Sequence, residues 1–236
     1  MGKAKYINIL ITLKLILHSK YHTKNTYEDP KTSSVFETML MLPDELFWRV
    51  LRKACFDNDN LPSVAGQIED YAFWPHWDPV GTTNSTFVEP DVFVRFQSFD
   101  LIIEAKLGET KGQDSEQWQK EVIAYRNEYG NDKPVYFMAV GGNAEKASES
   151  VPLEKKVVAN KCTWLSLLVQ VTRLRDEYER LSIIPNSLSA IIRLLNLIEL
   201  AFNIHRVYNI RWFDEIRTEK PLVSTDSIMT LKTYFK

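Results

Sequence analysis

Of the charged residues in one short stretch of this 236-residue chain, three have a spacing that could do chemistry together: Asp91, Glu104 and Lys106, in Glu89-Pro90-Asp91-Val92-Phe93-Val94-Arg95-Phe96-Gln97-Ser98-Phe99-Asp100-Leu101-Ile102-Ile103-Glu104-Ala105-Lys106. Aromatic and β-branched runs on either side of Gln97-Ser98 predict two strands joined by a tight turn. Period two places Ile102, Glu104 and Lys106 on one face of the second strand and Leu101, Ile103, Ala105 and Leu107 on the other, so the charged pair points together, away from the apolar side. An aspartate at the start of the first strand then lies beside a glutamate near the end of its antiparallel partner. Two carboxylates converging with one ammonium suit a hard cation, because Mg²⁺ takes oxygen ligands and keeps several waters. Asp91 and Glu104 are the expected ligands of a Mg²⁺ ion, with Mn²⁺ as its substitute. Lys106 would orient or deprotonate a metal-bound water and screen charge on a phosphate. The chemistry implied is hydrolysis of a phosphodiester.

Pro90-Asp91 followed by Glu104-Ala105-Lys106 resembles the signature of the PD-(D/E)xK nuclease superfamily, which has the restriction-endonuclease-like fold. The likeness continues into Gln117-Trp118-Gln119-Lys120-Glu121-Val122-Ile123-Ala124-Tyr125, where a glutamine is followed eight residues later by a tyrosine and positions 117, 121 and 125 share a helical face. Glu-x-Lys alone is uninformative, since the chain also has Glu109-Thr110-Lys111 and Glu154-Lys155-Lys156; only the first triplet ends an apolar strand. The resemblance spans residues 34 to 140. It implies that Gln117 supports the metal site or a phosphate and that Tyr125 packs or hydrogen-bonds nearby. It also implies a catalytic glutamate on an early helix, with Glu37 preferred and Glu45 the alternative. The implied activity is that of a Mg²⁺-dependent phosphodiesterase, an endonuclease rather than an exonuclease, with DNA the favoured substrate and host defence or restriction the expected setting. The alternative is a catalytically inactive nuclease-fold module for binding or assembly in a larger complex. A homodimer or partner subunits fit both readings.

The elements that must position these residues are those of an α/β protein with a mixed central sheet flanked by helices and a C-terminal helical region. Residues 1–32 are expected to be an extension, 33–160 the nuclease-like core and 161–236 a helical region packed on it. Helices are expected from Ser34 to Leu42 and from Pro43 to Phe56, where Pro43-Asp44-Glu45 has the character of a first turn. Strands are expected at Gln67–Trp74, Phe87–Phe96, Phe99–Leu107 and Pro134–Val140, with a helix at Ser115–Tyr129 stopped by Gly130. Beyond Val140 the chain reads as mostly helical, with helices at Trp164–Leu181 and Ser187–Tyr208. Ile7, Ile9, Ile11, Leu13, Leu15 and Leu17 share one parity and suggest a further strand.

Composition excludes several classes. With 44% apolar and 25% charged residues the chain can bury a core and is not disordered. Its 29 Lys plus Arg against 31 Asp plus Glu leave a net charge of −2, so an anionic polymer must meet a local basic patch. Arg49, Arg52 and Lys53 form one such cluster and Arg173, Arg175 and Arg180 another, each expected to be a solvated helix face. Cys55 and Cys162 stand far apart in sequence, which argues against a disulfide framework and for a cytoplasmic protein. His18, His22 and His205 lack partners at zinc-ligand spacing. Gly141-Gly142 follows a strand but lacks the Lys-Ser/Thr of a P-loop. Trp74-Pro75-His76-Trp77-Asp78 is best explained as core and turn packing. Ile7–Leu17 contains Lys14 and no cleavage site follows, so it is not read as a signal peptide. Leu188–Ile204 keeps a helical period, is interrupted by Arg193 and Glu199, and reads as a core helix rather than a membrane span.

Overall fold

The computed structural model describes residues 28–181, 183 and 185–209; the strand pattern at 7–17, His18 and His22 lie outside the described residues. Two helices come first, α1 (Glu28–Met39) and α2 (Asp44–Ala54). They are followed by β1 (Ile68–Phe73), β2 (Val92–Phe96) and β3 (Asp100–Ala105), then α3 (Ser115–Tyr129), β4 (Val135–Val140), β5 (Glu149–Val151), β6 (Glu154–Cys162), α4 (Trp164–Glu179) and α5 (Asn186–Ile204). The six strands form one mixed sheet in the order β1-β2-β3-β4-β6-β5. β1, β2 and β3 pair antiparallel, β3, β4 and β6 pair parallel, and β5 returns antiparallel at the edge.

Local chemistry accounts for the boundaries. Phe96 N–H donates to Phe99 O at 2.9 Å, closing the β2–β3 hairpin over Gln97-Ser98. Asp114 caps α3 by accepting from Glu116 N at 2.9 Å, and Gly130, at φ 74°, ends it with its N–H on Arg126 O. Thr163 and Ser166 form a reciprocal capping box at the start of α4. Pro90 has no N–H to give a ladder, and the strand expected at 87–96 is regular only from Val92; Val88 makes a single bridge to Trp77.

The sheet is covered on both faces. Leu101, Ile103 and Ala105 of β3 pack with the side chains of α1, α2, α4 and α5. Ile102 packs on the opposite side with Trp118, Val122 and Tyr125 of α3. Glu104 is therefore only 2% exposed, and the solvated strand face implied by alternation does not exist. In a sheet with helices on both sides, period two separates two cores and not a core from water. The expectation of a mostly helical remainder also gives way, because β5 and β6 follow Val140. Two of the proposed limits, 32/33 and 160/161, fall inside α1 and β6. α5 is 19 residues long and by length and composition alone apolar enough to cross a membrane, yet it buries Leu195, Ile198, Ala201 and Phe202 against the core.

α3 is fastened to β3 at two points. Gln117 Nε2 donates to Glu104 Oε1 at 2.7 Å, and Tyr125 OH donates to Asp100 Oδ2 at 3.0 Å. Asp100 is completely buried and also meets Lys133 Nζ at 2.9 Å and Arg95 Nε at 3.4 Å. Removing this carboxylate takes an acceptor from Arg95, from the Tyr125 hydroxyl and from Lys133, which keeps its contact with Glu69 at 3.3 Å. Asp100→Ala is expected to lower stability by about 1.5–3 kcal/mol, the worth of hydrogen bonds to a charged group, because the cations left behind are partly exposed and Lys133 keeps Glu69. Tyr125→Phe should cost about 1 kcal/mol. Urea denaturation of the two variants measures both losses, and equal losses would show that the ion pairs add nothing to the hydroxyl bond.

Candidate active site

The hairpin register pairs Val92 with Ile103, which sets Asp91 beside Glu104 at the carboxyl end of β3. Asp91 Oδ2 accepts from Ala105 N at 2.8 Å and Oδ1 from Trp74 Nε1 at 3.1 Å. Trp74 holds a left-handed backbone (φ 50°), and its own N–H donates to Asp91 O at 3.1 Å. A non-glycine residue with positive φ is uncommon, and here it turns the indole onto the aspartate. Glu104 Oε1 accepts from Lys106 Nζ as well as from Gln117. Glu28, in the first turn of α1, places Oε1 3.8 Å from Lys106 Nζ and accepts from Leu107 N at 2.6 Å through Oε2.

Lys106 is held from behind by its backbone. Its N–H donates to Val140 O at 2.8 Å and its carbonyl accepts from Trp164 Nε1 at 2.7 Å. Gly141 and Gly142 both have φ 66°, a conformation that glycine adopts without a Cβ penalty. A Cβ on Gly141 would stand 2.5 Å from Gly108 O and 2.7 Å from Lys106 O, and one on Gly142 would stand 2.7 Å from Lys106 Cβ. The glycine pair that is no P-loop is thus the floor under the lysine. Gln113 adds a strut, donating to Glu104 O at 3.0 Å and accepting from Trp118 Nε1 at 2.7 Å.

Burial dominates the electrostatics. It pushes the Asp91 carboxyl well above the usual carboxylate range, and the neighbouring Glu104 adds to the effect. Glu104 is raised in the same way, first by burial and then by Glu121. Glu121, one turn beyond Gln117 on α3, is completely buried, adjoins Glu104, and is pushed up to about 8 chiefly by burial. Neither of its oxygens, nor Glu104 Oε2, has a well-formed donor among the described residues. Two carboxyls in contact without donors are tolerable only if a proton is shared between them. For Lys106, burial works against the charged form, but Glu104, Asp91 and Glu28 outweigh it and raise the ammonium above its ordinary value. Lys106 is therefore a standing cation at neutral pH.

Four of the expected residues meet: Asp91, Glu104, Lys106 and Gln117. Glu37, the preferred early-helix acid, is buried in α1. Glu28, nine residues earlier on α1, is the carboxylate beside Lys106, and Glu45 instead accepts from Gly66 N at 3.1 Å near the start of β1. Glu28-Asp29-Pro30 carries the acidic first turn and early proline of a helix start, a signal obscured by its place at the end of a polar stretch. Tyr125 serves Asp100 at the opposite end of β3. Trp74, assigned to packing, also holds Asp91, while His76 stacks on Phe87 at 3.8 Å and meets Glu89 at 2.7 Å. Glu121 and Gln113 were not anticipated.

The Mg²⁺ or Mn²⁺ expectation is overturned. Among the described residues no group of three or more His, Cys, Asp or Glu side chains is arranged to hold a metal ion. The donor set explains this. Both Asp91 oxygens are engaged by protein N–H groups, Glu104 Oε1 faces Lys106 and Gln117, and the remaining carboxyl oxygens lie in a desolvated pair with raised pKa values.

The raised carboxyls make stability depend on pH with a definite sign. Glu121 holds its proton in the folded chain up to about pH 8, whereas in the unfolded chain it ionises near the ordinary value of 4.5. The unfolded state thus binds fewer protons between these values, and stability falls as pH rises through that window. Melting curves should show a lower Tm at pH 8 than at pH 5. Glu121→Gln should flatten this slope, and an unchanged slope would show that Glu121 does not carry the buried proton.

No family model matches the chain, and no solved structure matches it. Over 135 residues it is 29% identical to a protein of Pasteurella multocida (strain Pm70) named Uncharacterized protein PM0110. The match covers 56% of this chain and 49% of that protein, so the chain spans about half the length of the relative.

Proposed function

We propose that this chain is a nuclease of the PD-(D/E)xK type that hydrolyses phosphodiester bonds in DNA, acting in the cytoplasm in a host-defence or restriction setting. The observation that carries the reading is the meeting of Lys106 and Gln117 on one oxygen of Glu104, beside Asp91, at the end of β3. An ammonium has three donors, and one is engaged by Glu104. The others can neutralise the non-bridging oxygens of a phosphate as charge gathers there. Glu104 in its ionised form accepts a proton from water as the water oxygen bonds to phosphorus, the bond to the leaving sugar oxygen breaks, and that oxygen takes a proton from solvent water. Burial raises its carboxyl above the usual range and so makes it a stronger base than an exposed glutamate. Gln117 orients the carboxylate, and Asp91 fixes the Ala105 backbone between the two reacting residues.

One observation favours a second reading, a nuclease-fold module that binds without cutting. Both Asp91 oxygens and Glu104 Oε1 are already engaged by protein donors, and among the described residues no group of three or more His, Cys, Asp or Glu side chains is arranged to hold a metal ion. Incubating the purified chain with plasmid, linear DNA and RNA, with and without a chelator, separates the two. Nicked or linearised plasmid supports the nuclease; retarded but intact DNA supports the binding module. In the first case Lys106→Ala should slow cleavage by about 10²–10³-fold, the usual effect of losing one charge-stabilising donor. Lys106→Arg should recover little, because a planar guanidinium does not reproduce the compact point charge that the ammonium sets on Glu104 Oε1. Cleavage by Lys106→Ala at the wild-type rate would remove Lys106 from the reaction.

A further inference from the structure

Members of the two basic clusters that sequence places more than a hundred residues apart, Arg49 and Lys53 of one and Arg173 of the other, line a single cleft. α2 packs against α4, and the groove between them, about 390 Å³, is edged by Arg49 and Lys53 from α2, Arg173 and Glu177 from α4, and the polar side chains of Asn58 and Gln170. Its floor is apolar, from Val50 and Leu174. Three cations against one carboxylate give the cleft a local charge of +2 in a chain whose net charge is −2. Arg49 is engaged with Glu177 at 2.6 Å. Lys53 and Arg173 make no hydrogen bond or ion pair among the described residues, while Arg52, on the same helix, is tied to Leu61 O and Asn58 O and is not a lining residue.

We infer that this cleft is a second phosphate-binding site, which holds backbone phosphates of the nucleic acid at a distance from the Lys106 site. Two cations with no hydrogen-bond or ion-pair partner among the described residues, lining one groove together with two amide side chains, suit an anion bearing several oxygens, and a polymer of phosphates is the anion a nuclease must hold. A solvated helix face would need only one of the clusters. The inference rests on the nucleic-acid reading for the identity of the polymer. Its test measures binding, so the two can fail separately.

The double variant Lys53→Ala/Arg173→Ala changes only exposed side chains, and a melting curve checks that it folds. Binding of a fluorescent DNA oligonucleotide by the full chain is followed by anisotropy over a range of salt concentrations, and the melting shift caused by inorganic pyrophosphate is measured alongside. Each phosphate contact contributes about 0.9 to the slope of log affinity against log salt, so the variant should lose about 2 from the slope and roughly tenfold in affinity. Glu177→Gln, which removes the cleft's carboxylate, should shift affinity the other way. Loss of the pyrophosphate shift with DNA binding unchanged, or with no DNA binding even by the wild type, would assign the cleft to a free phosphorylated ligand and overturn the polymer. Wild-type behaviour of the variant toward both DNA and pyrophosphate would overturn the site altogether, whether or not the chain cuts DNA.

Discussion

Glu104 is a carboxylate in a strand that helices cover on both faces, and most of the neighbouring structure makes that burial tolerable. Left alone, an ionised carboxyl in such a place would have to take up a proton or leave the interior. Lys106 and Gln117 answer on one oxygen, and Glu121, which burial pushes up to about 8, stands on the other side. Lys106 in turn can stand so close only because two glycines with positive φ leave its stem and its carbonyl room. A substitution at either glycine would therefore act on the charge pair without touching it.

The distances along α3 and β3 make the same point in geometry. Gln117 and Tyr125 are eight residues apart on a helix, about 12 Å at 1.5 Å per residue. Glu104 and Asp100 are four apart on a strand, about 13 Å at 3.3 Å per residue. The helix runs antiparallel to the strand, so its two polar side chains reach the two carboxylates at the strand's opposite ends. A glutamine-to-tyrosine spacing of eight is thus a ruler matched to the strand beneath. It explains why Tyr125 belongs to the anchoring of the helix and Gln117 to the site.

Much of this was legible in the residues. The hairpin over Gln97-Ser98, the limits of α3 and the pairing of Asp91 with Glu104 all follow from turn chemistry, capping and period two, which are local. The third Glu-x-Lys triplet, at Glu154, misled because its lysines mask the start of β6, a strand whose partner β4 is supplied by tertiary structure. Glu28 was missed because a helix start at the end of a polar stretch has no apolar periodicity to announce it. Glu121 sits on the face already singled out, at the position midway between Gln117 and Tyr125, but a glutamate on a helix reads as solvated until the packing is known. The metal expectation failed for a related reason: spacing can bring two carboxylates together, but it does not say which donors have already engaged them.

The place of the site follows from the direction of the strands. β3, β4 and β6 are parallel and end at residues 105, 140 and 162 on the same edge of the sheet, whereas β2 runs the other way. In open α/β sheets such an edge is where ligands bind, because the loops leaving neighbouring strands diverge there and leave a crevice. The three exits supply Lys106, Gly141-Gly142 and Trp164, and they are bonded to one another: Lys106 N to Val140 O, Gly141 N to Cys162 O and Trp164 Nε1 to Lys106 O. Asp91 enters the group from the antiparallel strand, at the point where the strand direction changes. Its carboxylate, bonded to Ala105 N, joins the antiparallel half of the sheet to the parallel half. At this end of the sheet the Lys106 and Glu28 side chains are partly exposed whereas Glu104 is buried, so a ligand that approaches past Lys106 meets a cation before it meets the buried pair.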